Sequence, residues 1–288
     1  MLRFVRFNSC TTKFKPIHEN YNTLRHIHFP GITEFTQGLK IQSSIVNANL
    51  DFKKLESKIK KQYKEIPAGF QLNEYETSLL SKILSMKPLP TLLTFEFDNV
   101  YTGGKKMKQD PTLESKIHQY ELLGCKYHQL ERGGQVTWHG EGQLVAYTIL
   151  DLKQFTNLSI RCFVDSILLR GVQNILQDYG LCSYLDGENP GVWMQNNPKD
   201  LKIASIGTNI QRAITSYGIS FNINNDLKYL NQFEMCGIPN VSATSLKTLK
   251  PNLNVSVQEI GNKYAQQVAK LLNITNVEHM NGDELKDL

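Results

Sequence analysis

The stretch RGGQVTWHGEGQLVAYTILDL, residues 132–152, holds the pattern around which the rest of the chain is organised. Four of its first eleven residues are glycines: Gly133, Gly134, Gly140 and Gly142. Glycine has the most backbone freedom to lose on folding, so such a density does not suit a helix or an ordinary strand interior. It indicates a backbone that packs very close to a ligand or to another segment of the chain. The two interpretations are the wall of a ligand pocket and a tight hairpin without a ligand.

The second half of the same stretch predicts a buried strand. Residues 144–150, LVAYTIL, are rich in β-branched, aromatic and aliphatic side chains and are bounded by Gly142 and Asp151. A glycine-rich loop therefore leads directly into a strand of the core.

Composition is that of a globular protein. The chain has 288 residues, of which 40% are hydrophobic and 20% charged, so it can bury a large core in one big domain or in two. No apolar run approaches the ~20 residues of a membrane helix, so no membrane span is expected. The cysteines form no CxxC pair, so we expect neither a metal site nor a disulfide framework, and their odd number fits a reducing compartment: they are Cys10, Cys125, Cys162, Cys182 and Cys236.

Positive charge is concentrated at the start of the chain. Residues 1–17 carry four basic side chains and no acidic one, and without them the net charge of +5 becomes +1. The basic pI is therefore no argument for nucleic-acid binding. An amphipathic, acid-poor start with Ser and Thr predicts a mitochondrial transit peptide over residues 1–17, followed by the folded domain over residues 18–288. The alternative is an unstructured basic N-terminus.

Hydrophobic periodicity predicts alternating helices and strands after a mixed segment, residues 17–49, in which His26 and His28 have no metal-binding partner. Six lysines surround the apolar stripe of the first predicted helix, and they indicate a solvated face or, alternatively, a docking site for an acidic partner. Ser256 and Glu259 predict a capping box. The predicted helices are residues 51–66, 74–86, 112–124, 161–179 and 256–272, and the predicted strands are residues 92–97, 144–150, 192–194, 202–207 and 218–223, with a turn at 100–106.

Two residues are candidates for covalent chemistry. Cys236 is followed by Gly237 and Pro239, which indicates a loop where the thiol is accessible and backbone N–H groups can face an oxyanion. A thiolate needs a nearby positive charge or a base. Lys202 begins an apolar strand and could supply either. The alternatives are a small core thiol and a lysine that protects an edge strand from aggregation.

Five motifs in this order resemble the octanoyltransferases of lipoate biosynthesis, of the mitochondrial kind. They are RGGQVTWHGEGQ at 132–143, KIASIG at 202–207, GISFN at 218–222, CGIP at 236–239 and TSL at 244–246. The resemblance covers roughly residues 91–272 and is weak over 47–88. Glu141 departs from the pattern, because the family usually has proline between the two glycines. This difference concerns the stiffness of the loop and the acyl-chain preference, rather than the chemistry.

The resemblance implies a single α/β domain with a mixed β-sheet flanked by helices, a fold shared with biotin and lipoate protein ligases. It implies transfer of an octanoyl group from octanoyl-acyl carrier protein to a lysine of a lipoyl domain, as the first step of protein lipoylation in the mitochondrial matrix. Acceptors would be the 2-oxoacid dehydrogenase complexes and the glycine cleavage H protein. Neither cofactor nor metal is needed, because a thioester already carries an activated acyl group.

The resemblance also implies roles for particular residues. Cys236 would form the octanoyl thioester, and Lys202 would tune it by exchanging protons. The substrate-binding residues would be Arg132, Gly133, Gly134, Gln135, Val136, Thr137, Trp138, His139, Ser205, Ile206, Gly207, Gly218, Ile219 and Ser220.

Two other functions remain alternatives. An ATP-dependent lipoate or biotin ligase of the same fold would need a lysine but no cysteine nucleophile. A non-catalytic mitochondrial binding protein would have no need of either Cys236 or Lys202, and both are present.

Overall fold

The computed structural model describes residue 10 and residues 13–65, 72–232 and 241–285. The strands are β1 (Thr23–Thr33), β2 (Thr91–Phe97), β3 (Val100–Gly103), β4 (Lys126–Gln129), β5 (Val136–His139), β6 (Gln143–Ile149), β7 (Tyr184–Leu185), β8 (Val192–Met194), β9 (Leu201–Gln211), β10 (Ile214–Asn222), β11 (Ser242–Ala243) and β12 (Asn276–Asn281). The helices are α1 (Phe35–Glu65), α2 (Glu74–Ser85), α3 (Leu113–Leu122), α4 (Ile160–Cys162), α5 (Arg170–Asp178), α6 (Leu246–Leu249) and α7 (Val257–Leu271).

Within these residues, nine strands form a mixed sheet in the order β12-β1-β2-β6-β10-β9-β8-β7, with β11 beside β9. The pairs β1–β12, β1–β2 and β11–β9 are parallel, and the others are antiparallel. Hydrophobic clusters cover both faces of the sheet. The larger one includes the buried sides of α5 and α7, and the other includes Phe35 at the start of α1. The predicted mixed sheet flanked by helices is confirmed.

A second, three-stranded sheet, β4-β3-β5, holds the glycine-rich loop. The loop lies between β4 and β5 and is fastened to β3 and the residues after it. The N–H of Gly104 donates to the carbonyl of Gln135 at 3.0 Å, and the N–H of Lys105 donates to that of Arg132 at 2.9 Å. The turn predicted at 100–106 is therefore wrong in its first half, which is strand β3.

Most predicted elements in the C-terminal half are present. The long predicted helix at 161–179 is α4, a π-helical segment Phe163–Leu169 and α5 in direct succession. The capping box before α7 is confirmed, because Ser256 accepts from the N–H of Glu259 and Glu259 accepts from that of Ser256. β12 follows α7 and was not predicted.

The N-terminal third differs more from expectation. The mixed segment contains β1 and the first half of α1, so the predicted helix at 51–66 is only the second half of a 31-residue helix. The N-terminus of α1 is capped by a residue distant in sequence, because the N–H of Phe35 donates to Asp98 Oδ1 at 2.8 Å. That cap could not be recognised from local sequence. No described helix combines the length and apolar composition required to cross a bilayer.

The residues just before β1 pack on the domain. Phe14 is buried in the main hydrophobic cluster, and the N–H of Ile17 donates to the carbonyl of Gln154 at 2.8 Å. A disulfide joins Cys10 to Cys162. The cysteine spacing did not predict this bond. The expected transit-peptide boundary at residue 17 thus falls at the end of a segment that contacts the core.

Candidate active site

A narrow cavity of about 60 Å³ opens between the glycine-rich loop and strands β6, β9 and β10. Twelve of the residues expected to bind substrate line it: Arg132, Gly134, Gln135, Val136, Thr137, His139, Ser205, Ile206, Gly207, Gly218, Ile219 and Ser220. They come from three separate stretches of sequence, which the sheet brings together. Apolar side chains complete the lining: Leu130, Val145, Tyr147 and Tyr217. Sequence reasoning did not predict these four, but alternation in β6 could have indicated two of them, because Val145 and Tyr147 share one face of the strand.

Two of the expected residues lie elsewhere. Trp138 is buried on the far side of β5, where its ring stacks on Tyr229 with the centroids 5.0 Å apart. Gly133 fixes the loop to β9, because its N–H donates to the carbonyl of Thr208 at 3.0 Å. Trp138 and Gly133 thus hold β5 and the glycine-rich loop in place without lining the cavity.

Arg132 shapes the loop from within. Its guanidinium donates to the carbonyls of Gly133 and Gln135, both at 3.0 Å, and to the carbonyl and hydroxyl of Thr102 at 2.7 and 2.9 Å. Only 7% of the residue is exposed. Four of its N–H groups therefore bind the protein's own backbone and side chains. Arg132 builds the wall of the cavity and carries a positive charge there.

The wall formed by β9 and β10 has a gap, because Gly207 and Gly218 face each other across the ladder. A Cβ at Gly218 would lie 2.1 Å from the carbonyl oxygen of Ala146 in β6. The close approach of β10 to β6 therefore requires glycine at position 218. Gly142 meets a different need, since its φ of +78° is rarely adopted by other residues. Of the two interpretations of the glycine stretch, the pocket wall applies to Gly134, which lines the cavity, and the tight turn applies to Gly142.

Tyr217 lines the cavity with a backbone in the left-handed region, φ +59°. This conformation is strained for a bulky residue. The N–H of Tyr217 donates to Gln42 Oε1 in α1 at 2.6 Å, and its ring meets Tyr147 edge to face. Sequence reasoning missed Tyr217 because neither the positive φ nor the partner in α1 leaves a local pattern.

His139 begins a chain of buried hydrogen bonds that leads away from the cavity. Its Nδ1 lies 2.7 Å from Gln143 Oε1, Gln143 Nε2 donates to Asn222 Oδ1 at 2.9 Å, and Asn222 Nδ2 donates to the carbonyl of Thr244 at 2.9 Å. Burial lowers the pKa of His139 to about 4, with a further lowering from the charge of Arg132, while the bond to Gln143 acts in the opposite direction. His139 is therefore neutral at physiological pH.

Lys202 is the second residue of β9 and is 1% exposed. Its Nζ donates to the carbonyl of Pro190 at 3.0 Å and lies 4.8 Å from the centroid of the Trp193 ring. Both contacts favour an ammonium group that has left bulk water. Gly191 makes room for it, because a Cβ there would be 2.4 Å from Lys202 Cε.

Cys236 lies outside the described residues. The described residues on either side of the gap at 233–240 are joined, since the N–H of Ala243 donates to Asn231 Oδ1 at 2.9 Å. β11 then pairs Ser242 with Leu201 and Ala243 with Lys202. The chain on the C-terminal side of the gap therefore runs along the strand that carries Lys202.

Within the described ranges, no group of three or more His, Cys, Asp or Glu side chains is arranged to hold a metal ion. His26, His28 and His279 do meet, through a 2.8 Å contact between the Nδ1 atoms of His26 and His279 and through the Thr94 hydroxyl. The sequence did not predict this cluster, because His279 lies in the unpredicted β12.

Comparison with protein families and curated proteins gives consistent matches. Residues 70–269 match the lipoyl protein ligase A/B catalytic domain. The chain is 38% identical to the mitochondrial octanoyltransferase of Saccharomyces cerevisiae over 95% of this chain and 89% of that protein. It is 40% identical to the mitochondrial octanoyltransferase of Kluyveromyces lactis over 99% of this chain and 92% of that protein.

Solved structures with the same fold have low sequence identity. A bipartite lipoate protein ligase of Thermoplasma acidophilum, studied with its E2 lipoyl domain, superposes with a TM-score of 0.52 at 13% identity, covering 92% of this chain and 91% of that one. LipL1 of P. falciparum in complex with lipoate gives 0.55 at 13% identity, covering 89% and 65%. These similarities concern the fold, and they confirm its expected likeness to lipoate protein ligases.

Proposed function

Because the chain belongs to the octanoyltransferases and is thus an acyltransferase, we propose that it moves an octanoyl group from octanoyl-acyl carrier protein to a lysine of lipoyl domains, through a thioester on Cys236. The acceptors would be lipoyl domains of 2-oxoacid dehydrogenase complexes and the glycine cleavage H protein. This transfer would be the first step of protein lipoylation.

The reaction has two balanced steps. The Cys236 thiolate attacks the thioester carbonyl carbon, a new C–S bond forms, and the carrier's sulfur leaves and takes up a proton. The amine of the acceptor lysine then attacks the same carbon, a C–N bond forms, and the C–S bond to Cys236 breaks. The proton lost by the nitrogen returns to the sulfur. Neither step needs ATP, since amide formation from a thioester is downhill.

The observation that carries the proposal is the buried Lys202 side chain. It lies in β9 beside β11, the strand that follows the segment containing Cys236. Six residues of extended chain reach at most ~20 Å, so the covalent link from Ser242 limits how far Cys236 can be from Lys202. A positive charge at this place would lower the pKa of the thiol and keep it nucleophilic.

The cavity supports an unbranched acyl chain as the transferred group. It is narrow and lined mainly by apolar side chains and backbone, and Ser205 at its wall is three residues from Lys202 along β9, or ~10 Å. An acyl chain of eight carbons can span that distance while its carbonyl remains near the lysine.

The test is the intact mass of the protein after mixing with octanoyl-acyl carrier protein, followed by peptide mapping. One octanoyl group is expected, on Cys236, and Cys236→Ser should abolish it. Cys182→Ser is the matched control, because Cys182 is an exposed free thiol among the described residues. A label on another cysteine, or acylation that requires free octanoate and ATP, would reject the thioester mechanism in favour of a ligase.

We also propose a mitochondrial matrix location, in line with the names of the two yeast relatives. Since Cys10, Phe14 and Ile17 contact the domain, the leader should end before Cys10. A fluorescent protein fused to residues 1–30 should enter mitochondria, and N-terminal sequencing of the mature protein should find Cys10 retained. A cytosolic fusion would contradict the targeting role.

A further inference from the structure

The hydrogen-bond chain from His139 to Thr244 has only one possible direction. A backbone carbonyl can only accept, so the atom of Asn222 that contacts Thr244 must be Nδ2. Asn222 then presents Oδ1 to Gln143, which must offer Nε2 in return. Gln143 is left with Oε1 toward His139, so Nδ1 of His139 must carry the hydrogen. The Thr244 carbonyl thus sets the tautomer of a histidine three hydrogen bonds away.

This direction is held firmly, because every member is buried. Exposure is 6% for His139, 1% for Gln143, 5% for Asn222 and 1% for Thr244, so water does not compete for these bonds. Gln143 and Asn222 are also directly opposite each other in the β6–β10 ladder. Reversing the chain would leave a buried donor or acceptor without a partner, which is unfavourable.

A neutral imidazole with hydrogen on Nδ1 has its lone pair on Nε2. His139 lines the cavity, so the polar atom it can offer to a ligand there is Nε2, as an acceptor. The pKa of about 4 keeps this lone pair unprotonated across the physiological range. Other polar side chains of the wall differ, because Arg132 only donates and the hydroxyls of Ser205 and Ser220 can do both.

We propose that Gln143 and Asn222 are positioning residues that hold His139 as a fixed hydrogen-bond acceptor for the attacking amine of the acceptor lysine. The inference rests on the proposed function, because it needs an amine to enter the cavity. An acyl thioester group has a carbonyl oxygen and an alkyl chain but no N–H, so it cannot satisfy an obligate acceptor. His139 orients the amine nitrogen and takes no proton; the proton goes to the sulfur of Cys236 as the C–S bond breaks.

The first experiment is independent of activity. ¹⁵N NMR of the histidine-labelled full chain distinguishes a protonated ring nitrogen from an unprotonated one, and His139→Asn assigns the signals. We expect Nδ1 protonated and Nε2 unprotonated from pH 8 to pH 5. A hydrogen on Nε2 or rapid exchange between tautomers would overturn the proposal.

The second experiment separates the two half-reactions in Gln143→Glu, an isosteric change. A carboxylate beside Nδ1 raises the pKa of His139, so that near neutral pH Nε2 carries a hydrogen and repels the amine's donors. We expect transfer from octanoyl-Cys236 enzyme to a lipoyl domain to fall at least tenfold at pH 6.5 and to recover as the pH is raised to 9. Formation of the octanoyl enzyme should change less than threefold. Gln177→Glu, at an exposed position of α5, is the matched control.

The outcomes separate the two proposals. If the parent protein is never acylated on Cys236, the proposed function fails, whatever the NMR result. If the parent transfers octanoyl but Gln143→Glu has the parent's pH profile, the role of His139 is wrong. A loss confined to enzyme acylation would also reject it, because His139 would then bind an N–H of the donor's thioester arm. Asn222→Leu can neither donate to Thr244 nor accept from Gln143, so the Gln143 amide is free to turn. It should show the same transfer defect without the recovery at high pH.

Discussion

At the scale of single residues, Lys202 shows what the sequence could and could not convey. Its place at the start of an apolar strand predicted partial desolvation, and the residue is indeed buried. The contacts that stabilise the buried Lys202 side chain could not be seen in the sequence. Trp193 lies in β8, which pairs with β9, and Pro190 lies just before β8. Tyr217 and Trp138 show the same limit. A positive φ and the choice of strand face depend on neighbours distant in sequence.

Lys202→Met tests the charge while retaining most of the apolar stem. We expect alkylation of Cys236 by iodoacetamide to slow at least tenfold at pH 7, and octanoyl transfer to fall by orders of magnitude, because the thiolate loses its stabilising cation. Lys202→Arg should keep some alkylation but lose transfer, since arginine does not give up a proton. Lys199→Met, at an exposed site in the same region, is the control. Near-parental transfer by Lys202→Met would exclude this lysine from the chemistry.

Gly218→Ala tests the close approach of β6 and β10. The added Cβ would meet the carbonyl oxygen of Ala146 at 2.1 Å, so the strands must separate at the cavity wall. Overpacking of this kind costs about 1–3 kcal/mol, and we expect a corresponding fall in the free energy of unfolding by urea denaturation. Gly261→Ala, in α7, is the contrast, because its Cβ would make ordinary contacts at 3.5 Å with the side chains of Leu144 and Thr94. Equal stability of the two variants would show that the sheet yields at Gly218 without cost.

At the scale of elements, predictability followed local pattern. β6 is a continuous β-rich run, α5 and α7 have clear helical periodicity, and α7 also has its own capping box, so all three were predicted. The first half of α1 was missed because it buries Gln42 and Asn49 and takes its N-terminal partner from Asp98. β12 was missed because an edge strand with the sequence NVEHMN has little hydrophobic signal. The periodic stripe in the second half of α1 exists, yet Leu55 and Tyr63 on it are exposed.

β6 provides the apolar wall of the cavity, and its side-chain size should influence acyl-chain length. Val145 is buried, lines the cavity and lies opposite Ser220. Val145→Ala adds space for about one to two methylenes, so we expect kcat/KM to shift roughly tenfold toward longer acyl groups. Val145→Leu should shift it toward shorter ones. Val172→Ala, in α5 on the other face of the sheet, removes the same atoms and should leave the preference unchanged. An unchanged ratio in both Val145 variants would place the acyl chain elsewhere.

At the scale of the whole molecule, buried histidines make stability depend on pH. Burial lowers the pKa of His26 to about 3 and that of His139 to about 4, against 6.5 for an ordinary histidine. Below pH 6.5 the unfolded chain therefore binds protons that the folded chain excludes, so unfolding becomes easier as the pH falls. Below pH 6.5 each of these histidines lowers the free energy of unfolding by about 1.4 kcal/mol per pH unit, until the pH reaches its pKa in the folded state.

Urea unfolding at pH steps from 8 to 4.5 measures this dependence. The free energy of unfolding should be level above pH 7 and decline below 6.5. His26→Gln should reduce the slope by the contribution of one proton. His18→Gln, at an exposed site, should not alter it. A stability that stays constant down to pH 4.5 would mean that these histidines accept protons in the folded state.

The pairing of β1 with β12 sets the order in which the molecule can be completed. Thr23 lies opposite Asn276, and Gly282 packs against Phe29, where a Cβ would be only 2.4 Å from the ring. A chain that leaves a ribosome or a translocation pore with its N-terminus first therefore presents β1 early, but β1 gains its outer neighbour only after residues 276–281 have emerged. Until then β1 is the open edge of the sheet and can pair with another chain. The arrival of β12 thus decides whether a newly made chain closes on itself or associates with its neighbours.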